Sequence, residues 1–118
     1  LIIEAWNSEI NVELAKIYMD EKDKDSANIY FNKAIECYTK IIDKKLKMER
    51  PYYIGRDYYN LACVYCQMEN KTDALKYLDL SLQKDYKEFE HINIDKDLDF
   101  IRNTSEFKAL IEKYSKTK

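Results

Sequence analysis

Superposed on itself at an offset of 47 residues, the sequence aligns Leu14 with Leu61, Ala15 with Ala62, Tyr18 with Tyr65, Ala27 with Ala74, Phe31 with Leu78 and Ala34 with Ser81. Six matches at one offset mark an internal repeat, and repeats of this length build units that bury their apolar faces against neighbours. Within each copy Leu, Ala and Tyr share one face of a first helix, and the pair of small residues shares one face of a second with the large apolar residue between them. Each copy therefore reads as helix, turn, helix. The small residues mark close crossings, where a larger side chain would overpack at a cost of about 1–3 kcal/mol.

Composition removes the alternatives to helix. One Gly and one Pro in 118 residues leave almost no material for hairpin turns or flexible linkers. A hydrophobic content of 46% is enough for the core of one domain. The formal net charge of −2 lacks the basic excess expected of a nucleic-acid binder. No apolar run approaches the roughly 20 residues of a membrane span. Three cysteines cannot all pair within one chain and suggest no disulfide framework, so a reducing, cytoplasmic setting is expected. The absence of an initiating Met raises the expectation of a fragment of a longer protein.

The pattern resembles the tetratricopeptide repeat, whose unit is about 34 residues. Residues 8–41 fit one unit through Leu14, Ala15, Tyr18, Ala27, Phe31 and Ala34, and residues 55–84 fit a second through Tyr58, Leu61, Ala62, Tyr65, Ala74, Leu78 and Ser81. The family's first-helix Trp is Asn11 in one copy and Tyr58 in the other, and its closing Pro is missing from both. The resemblance implies an all-α fold, a right-handed stack of antiparallel helix pairs within a single domain over residues 1–118. It also implies a non-enzymatic module that binds a peptide or partner helix in a concave groove.

The offset exceeds one unit by about 13 residues. Between Ala27 and Lys47 there is no helix breaker, so the first unit's second helix is expected to run on, and Pro51 is acceptable in the first turn of the next helix. The helices are thus expected to extend into 42–54, with a loop over 48–55 as the alternative. Further on, Asp95, Asp97, Leu98, Ile101 and Arg102, followed by Phe107 and Leu110, resemble the closing segment of bacterial arrays of this family, which implies capping helices over about 87–115. Asn103 or Thr104 is expected to cap the last helix, with Phe107, Leu110, Ile111 and Tyr114 as its apolar stripe.

At the other end Ile3, Trp6, Ile10, Leu14 and Ile17 keep a three-four spacing, so the first helix is expected to begin near Leu1. Its outer face would then be covered by an upstream repeat or by a second copy of the chain, a possible homo-oligomer.

No catalytic residue, cofactor or metal is expected. Cys63 and Cys66 have redox or zinc spacing, but they fall in mid-helix, away from the helix N-terminus that lowers a thiol pKa, and only Cys37 and His91 could complete a zinc set. His91 has no nucleophile partner or phosphate cradle in the sequence. The acidic run from Asp20 to Asp25 lacks the Gly and terminal Glu of an EF-hand and reads as the turn between helices.

By the family's pattern the partner-binding groove would be lined by Val12, Lys16 and Met19 from one first helix and by Arg56, Tyr59, Asn60, Cys63, Cys66 and Gln67 from the other. Members that grip a chaperone's C-terminal carboxylate use Lys, Asn and Arg at fixed positions over three repeats, of which only Asn60 is matched, so that partner is not expected. The alternatives to an adaptor are a self-associating scaffold or a regulatory segment of a larger enzyme.

Overall fold

The computed structural model describes residues 1–116. Every regular element among them is helical, and the chain divides into two compact units, Leu1–Tyr52 and the segment from Tyr53 onward.

The first unit is an antiparallel pair, α1 (Ile2–Asp20) and α2 (Lys24–Leu46). Ala15, Ala27, Phe31 and Ala34 are fully buried, as the spacing requires of residues at a close crossing. The turn between the helices is built without glycine. Lys22 takes the left-handed conformation at φ 61°, and the amide of Asp23 donates to the Tyr18 carbonyl at 2.8 Å, closing the end of α1. The Asp23 carboxylate then accepts from the Ser26 amide at 3.1 Å and caps α2. Beyond the turn the Tyr18 and Tyr30 rings stack with centroids 5.5 Å apart. At the far end Lys44 pairs with Glu4, so the long second helix reaches back to the start of the first.

The second unit repeats this device at the same offset. Helices α3 (Ile54–Gln67) and α4 (Lys71–Gln83) are joined through Glu69, left-handed at φ 61°. The Asn70 amide donates to the Tyr65 carbonyl at 2.9 Å, and the Asn70 side chain accepts from the Asp73 amide at 3.2 Å. Tyr65 and Tyr77 stack at 5.4 Å. The correspondence thus includes Lys22 with Glu69, Asp23 with Asn70 and Tyr30 with Tyr77, positions whose side-chain identities mostly differ. It also includes Ser8 on α1 and Gly55 on α3, both buried small residues. A Cβ on Gly55 would lie 2.7 Å from the Lys84 carbonyl oxygen and 3.2 Å from that of Ser81. Close backbone approach, not a left-handed φ, requires glycine there.

The residues in excess of one repeat unit are divided between helix and connection. Helix α2 runs on to Leu46, but α3 starts at Ile54, not at Pro51. Tyr53 is the reason, since its φ of 54° breaks helical geometry while its carbonyl accepts from the amides of Arg56 and Asp57. Just before it, Lys45 lays its ammonium 4.6 Å from the centre of the Tyr52 ring, which gives the connection a packed side chain of its own.

After α4 come α5 (Phe89–Ile94), a 3-10 turn (Lys96–Leu98), α6 (Asp99–Arg102) and α7 (Ser105–Ser115). Ile92, Leu98, Ile101 and Phe107 from this segment share one core with Ala62 and Cys66 of α3 and Ala74, Leu78 and Leu82 of α4. Thr104 caps α7, accepting from the Phe107 amide at 3.2 Å, and Leu110, Ile111 and Tyr114 lie against the same core.

Candidate functional site

Each first helix presents part of the expected partner surface. On α1, Val12, Lys16 and Met19 are half-buried. They occupy the side of the helix adjoining its buried face, and Lys16 forms a loose ion pair with Glu13 at 3.9 Å. On α3, Arg56 is exposed, while Asn60 and Gln67 are half-buried. Gln67 donates from Nε2 to the Cys63 carbonyl at 3.1 Å, which holds its amide along the helix. Arg56, Asn60 and Gln67 follow one another at four and seven residues, so they share a face.

Tyr59, Cys63 and Cys66 do not belong to that surface. Their exposures are 3%, 6% and 1%, because the C-terminal segment folds over this side of α3. The Tyr59 hydroxyl donates to Asp95 Oδ2 at 2.6 Å, and its ring stacks on Tyr86 with centroids 4.5 Å apart. The Cys63 Sγ lies 3.8 Å from the same carboxylate oxygen. A partner would have to displace this segment to touch any of the three.

The five residues from Asp95 to Arg102 that mark the C-terminal motif each have a defined task. Asp95 Oδ1 accepts from the Asp97 amide at 3.0 Å, starting the 3-10 turn, while Oδ2 receives Tyr59. Leu98 and Ile101 are fully buried. The Arg102 guanidinium donates to the carbonyls of Ile92, at 3.0 Å, and Asp95 and pairs with Asp99. Carbonyls at the end of α5 are thereby satisfied by a side chain.

The electrostatics of this region oppose thiol and phenol ionisation. Burial, followed by the nearby Asp95 and Asp97 carboxylates, holds the Cys63 thiol well above its ordinary range. Burial pushes Cys66 up to about 11. Tyr59 is raised as well, first by burial, and Tyr86 is pushed up to about 12 for the same reason. A redox pair needs an accessible thiolate, and this C-x-x-C sequence provides none.

Cys63, Asp95 and Asp97 bring a thiol and two carboxylates within 4.8 Å of one another, a grouping that the sequence spacing did not single out. His91 adds its Nε2 at 3.2 Å from Asp95 Oδ2. Both oxygens of Asp95 are already engaged by Tyr59 and by the Asp97 amide, so the carboxylate serves as a connection between α3 and the C-terminal segment. The sequence signal that could have found it is the Asp-x-Asp motif itself, since its first Asp must pair with something once its neighbours are buried.

No helix among the described residues is long and apolar enough to cross a membrane. The three cysteines are free.

Comparison with known proteins agrees with the repeat. Residues 8–41 match the family model described as tetratricopeptide repeat. The chain is similar to a chloroplastic protein of Arabidopsis thaliana, at 25% identity over 92 residues, which is 78% of this chain and 27% of that protein. The chain thus spans about a quarter of the length of this relative. No solved structure matches.

Proposed function

The chain carries a tetratricopeptide repeat at residues 8–41, and from that premise we propose that it binds a peptide or a partner helix through its first helices. The family is in general a non-enzymatic module for protein interaction. The finer reading assigns the contact to Val12, Lys16 and Met19 on α1 and to Arg56, Asn60 and Gln67 on α3. What supports it is the side-chain chemistry left open on each of these helices after packing is complete. Arg56 offers a forked, permanently charged donor, Asn60 a paired donor and acceptor for main-chain amides, and Met19 an adaptable apolar contact. Tyr59, Cys63 and Cys66 are left out because they are buried.

Panning a displayed random-peptide library against the purified chain tests this reading. Selected peptides are expected to lose at least about tenfold in affinity for the Arg56→Ala and Asn60→Ala variants, as hot-spot truncations do, with unchanged helicity by circular dichroism. Enriched peptides indifferent to Arg56, Asn60, Lys16 and Met19 would overturn it. The three free thiols favour a reducing compartment, and we place the module in the cytoplasm on that ground.

A further inference from the structure

The side chains that meet around Asp95 come from three parts of the second unit. Cys63 stands on α3 and His91 on α5, while Asp95 and Asp97 belong to the 3-10 turn and its cap. One donor atom from each of Cys63, Asp95 and Asp97 lies within 4.8 Å of the other two. Two further distances converge on one oxygen, since Asp95 Oδ2 is 3.8 Å from Cys63 Sγ and 3.2 Å from His91 Nε2. In a tetrahedral zinc site, with bonds of about 2.0–2.1 Å to nitrogen and oxygen and about 2.3 Å to sulfur, neighbouring donors stand about 3.3 Å apart for nitrogen and oxygen and about 3.6 Å apart for sulfur and oxygen. Both separations at Asp95 lie close to these edges.

The setting suits a cation. Cys63 is buried, Asp95 and Asp97 are half-buried, and the His91 side chain is 55% exposed. The cluster is thus shielded at α3 and open at His91, which gives an ion a way in. Two carboxylates beside a thiol in partly desolvated surroundings gain from positive charge placed between them. Asp95 is also held as a metal-bound carboxylate is held. Tyr59 donates to Oδ2 and the Asp97 amide to Oδ1, but an ionised carboxylate has about four acceptor directions. These two bonds orient the group and leave other lone pairs for a metal, the outer hydrogen bonding usual around such ligands.

We infer that Cys63, His91, Asp95 and Asp97 bind one zinc ion, which ties α5 and the 3-10 turn to α3. The donor set selects the metal. Calcium and magnesium take oxygen ligands, whereas a thiolate and an imidazole favour zinc, and two carboxylates set the group apart from the sulfur-only sites that suit copper(I). His91 completes the tetrahedron by turning its exposed side chain, and the Cys63 thiol gives its proton to solvent as the zinc–sulfur bond forms. Cys66, the other half of the C-x-x-C pair, takes no part, because it packs in the core with Leu78 and Ile101. The C-x-x-C spacing therefore points to the wrong partner for Cys63, whose carboxylate neighbour Asp95 is 32 residues away. The four ligands meet only while the C-terminal segment is docked, so zinc acts on how firmly that segment covers α3.

The probe is the metal itself, added to the purified chain after chelator treatment under a non-thiol reductant. Zinc is expected to bind at one ion per chain in competition with a chromogenic chelator. It is also expected to shift the ring resonances of His91, which is the only histidine and so needs no assignment. Cobalt(II) in its place is expected to give the strong visible absorption of a tetrahedral site with a sulfur-to-cobalt charge-transfer band. Cys63→Ser is expected to abolish that band and Cys37→Ser to leave it unchanged. His91→Ala, at an exposed position, and Asp97→Asn, both checked for helicity by circular dichroism, are each expected to weaken zinc binding about tenfold or more, at least the usual loss for an outer partner of a ligand. Excess calcium or magnesium is expected not to displace the zinc. Failure to bind one zinc per chain, a charge-transfer band that survives Cys63→Ser, or an affinity indifferent to both His91→Ala and Asp97→Asn would overturn the inference. So would displacement by calcium, since the carboxylates would then be acting as an ordinary acidic patch.

Discussion

Tyr59, near the middle of α3, donates its hydroxyl to Asp95 Oδ2 at 2.6 Å, across 36 residues of sequence. The bond joins α3 to the turn between α5 and α6 of the C-terminal segment. Tyr59→Phe keeps the ring and its stacking on Tyr86 but removes the donor from a partly buried carboxylate. A loss of about 1–3 kcal/mol is expected, read as a lower urea midpoint with an unchanged slope. Phe at this position behaving like wild type would mean that water or His91 replaces the phenol at no cost.

Gly55→Ala reverses the usual sign of a glycine substitution in a helix. At an ordinary interior position alanine is favoured by about 1 kcal/mol. Here the new Cβ would come within 2.7 Å of the Lys84 carbonyl oxygen, a backbone atom that moves only with the end of α4. Overpacking of this kind typically costs about 1–3 kcal/mol. Thermal melts of Gly55→Ala are therefore expected to fall below wild type.

The helix pairs were legible in the sequence because Ala15, Ala27 and Ala34 must be small where backbones cross, and their copies at Ala62, Ala74 and Ser81 repeat the demand at one offset. The start of α3 was not. Its position depends on Tyr53 adopting a left-handed φ, and a tyrosine gives no sign of that, whereas the Pro51 that suggested an earlier start is compatible with helix and extended chain alike. The turns were legible only in outline, since Lys22 and Glu69 occupy left-handed positions where glycine would have been diagnostic. The candidate surface divides for a related reason. Periodicity identified which residues of α3 lie off the repeat's own packing stripe, but what covers Tyr59, Cys63 and Cys66 is a segment about 30 residues away in sequence. Its docking depends on Asp95 and on Leu98, Ile101 and Phe107 meeting α3 and α4, a tertiary fact with no local periodicity.

Acid is expected to loosen the first unit. Hydrogen bonding from Lys44 is the largest cause of the lowered Glu4 pKa, from 4.5 to about 2. A carboxylate depressed in the folded state adds stability that is fully present above its unfolded pKa and is lost as the pH falls through its folded value. The window is thus from about pH 4.5 down to about pH 2. Glu106, held down to about 2 mainly by Lys71, adds to the same window in the second unit. Glu106 is exposed and Glu4 half-buried at the surface, so added salt is expected to flatten the dependence. Lys44→Ala is expected to return the Glu4 carboxyl titration, followed by NMR, toward its ordinary range.

Replacing the helix caps tests whether the two turns are equivalent devices. Asp23 and Asn70 occupy corresponding positions, and each accepts from the amide three residues on. Asp23→Ala and Asn70→Ala are each expected to cost about 0.5–2 kcal/mol. The aspartate carries a charge that favours the helix N-terminus, and its pKa is lowered chiefly by the Ser26 amide. The Asp23 contribution is therefore expected to fade in acid while the Asn70 contribution persists, and denaturation of the two variants at neutral and acid pH separates them.

Thiol chemistry distinguishes the three cysteines by their surroundings. Cys37 is half-buried on α2, whereas Cys63 and Cys66 are buried on α3 with thiols raised in pKa chiefly by burial. Alkylation proceeds through the thiolate, so access and ionisation both protect the α3 pair. Iodoacetamide at mildly alkaline pH is expected to label Cys37 first in the folded chain. Cys63 and Cys66 are expected to react only as the C-terminal segment opens, and Tyr59→Phe, by weakening its attachment through Asp95, is expected to speed their labelling more than that of Cys37. Peptide mass mapping over a time course gives the order, and equal rates at all three sites in wild type would mean that the segment does not shield α3.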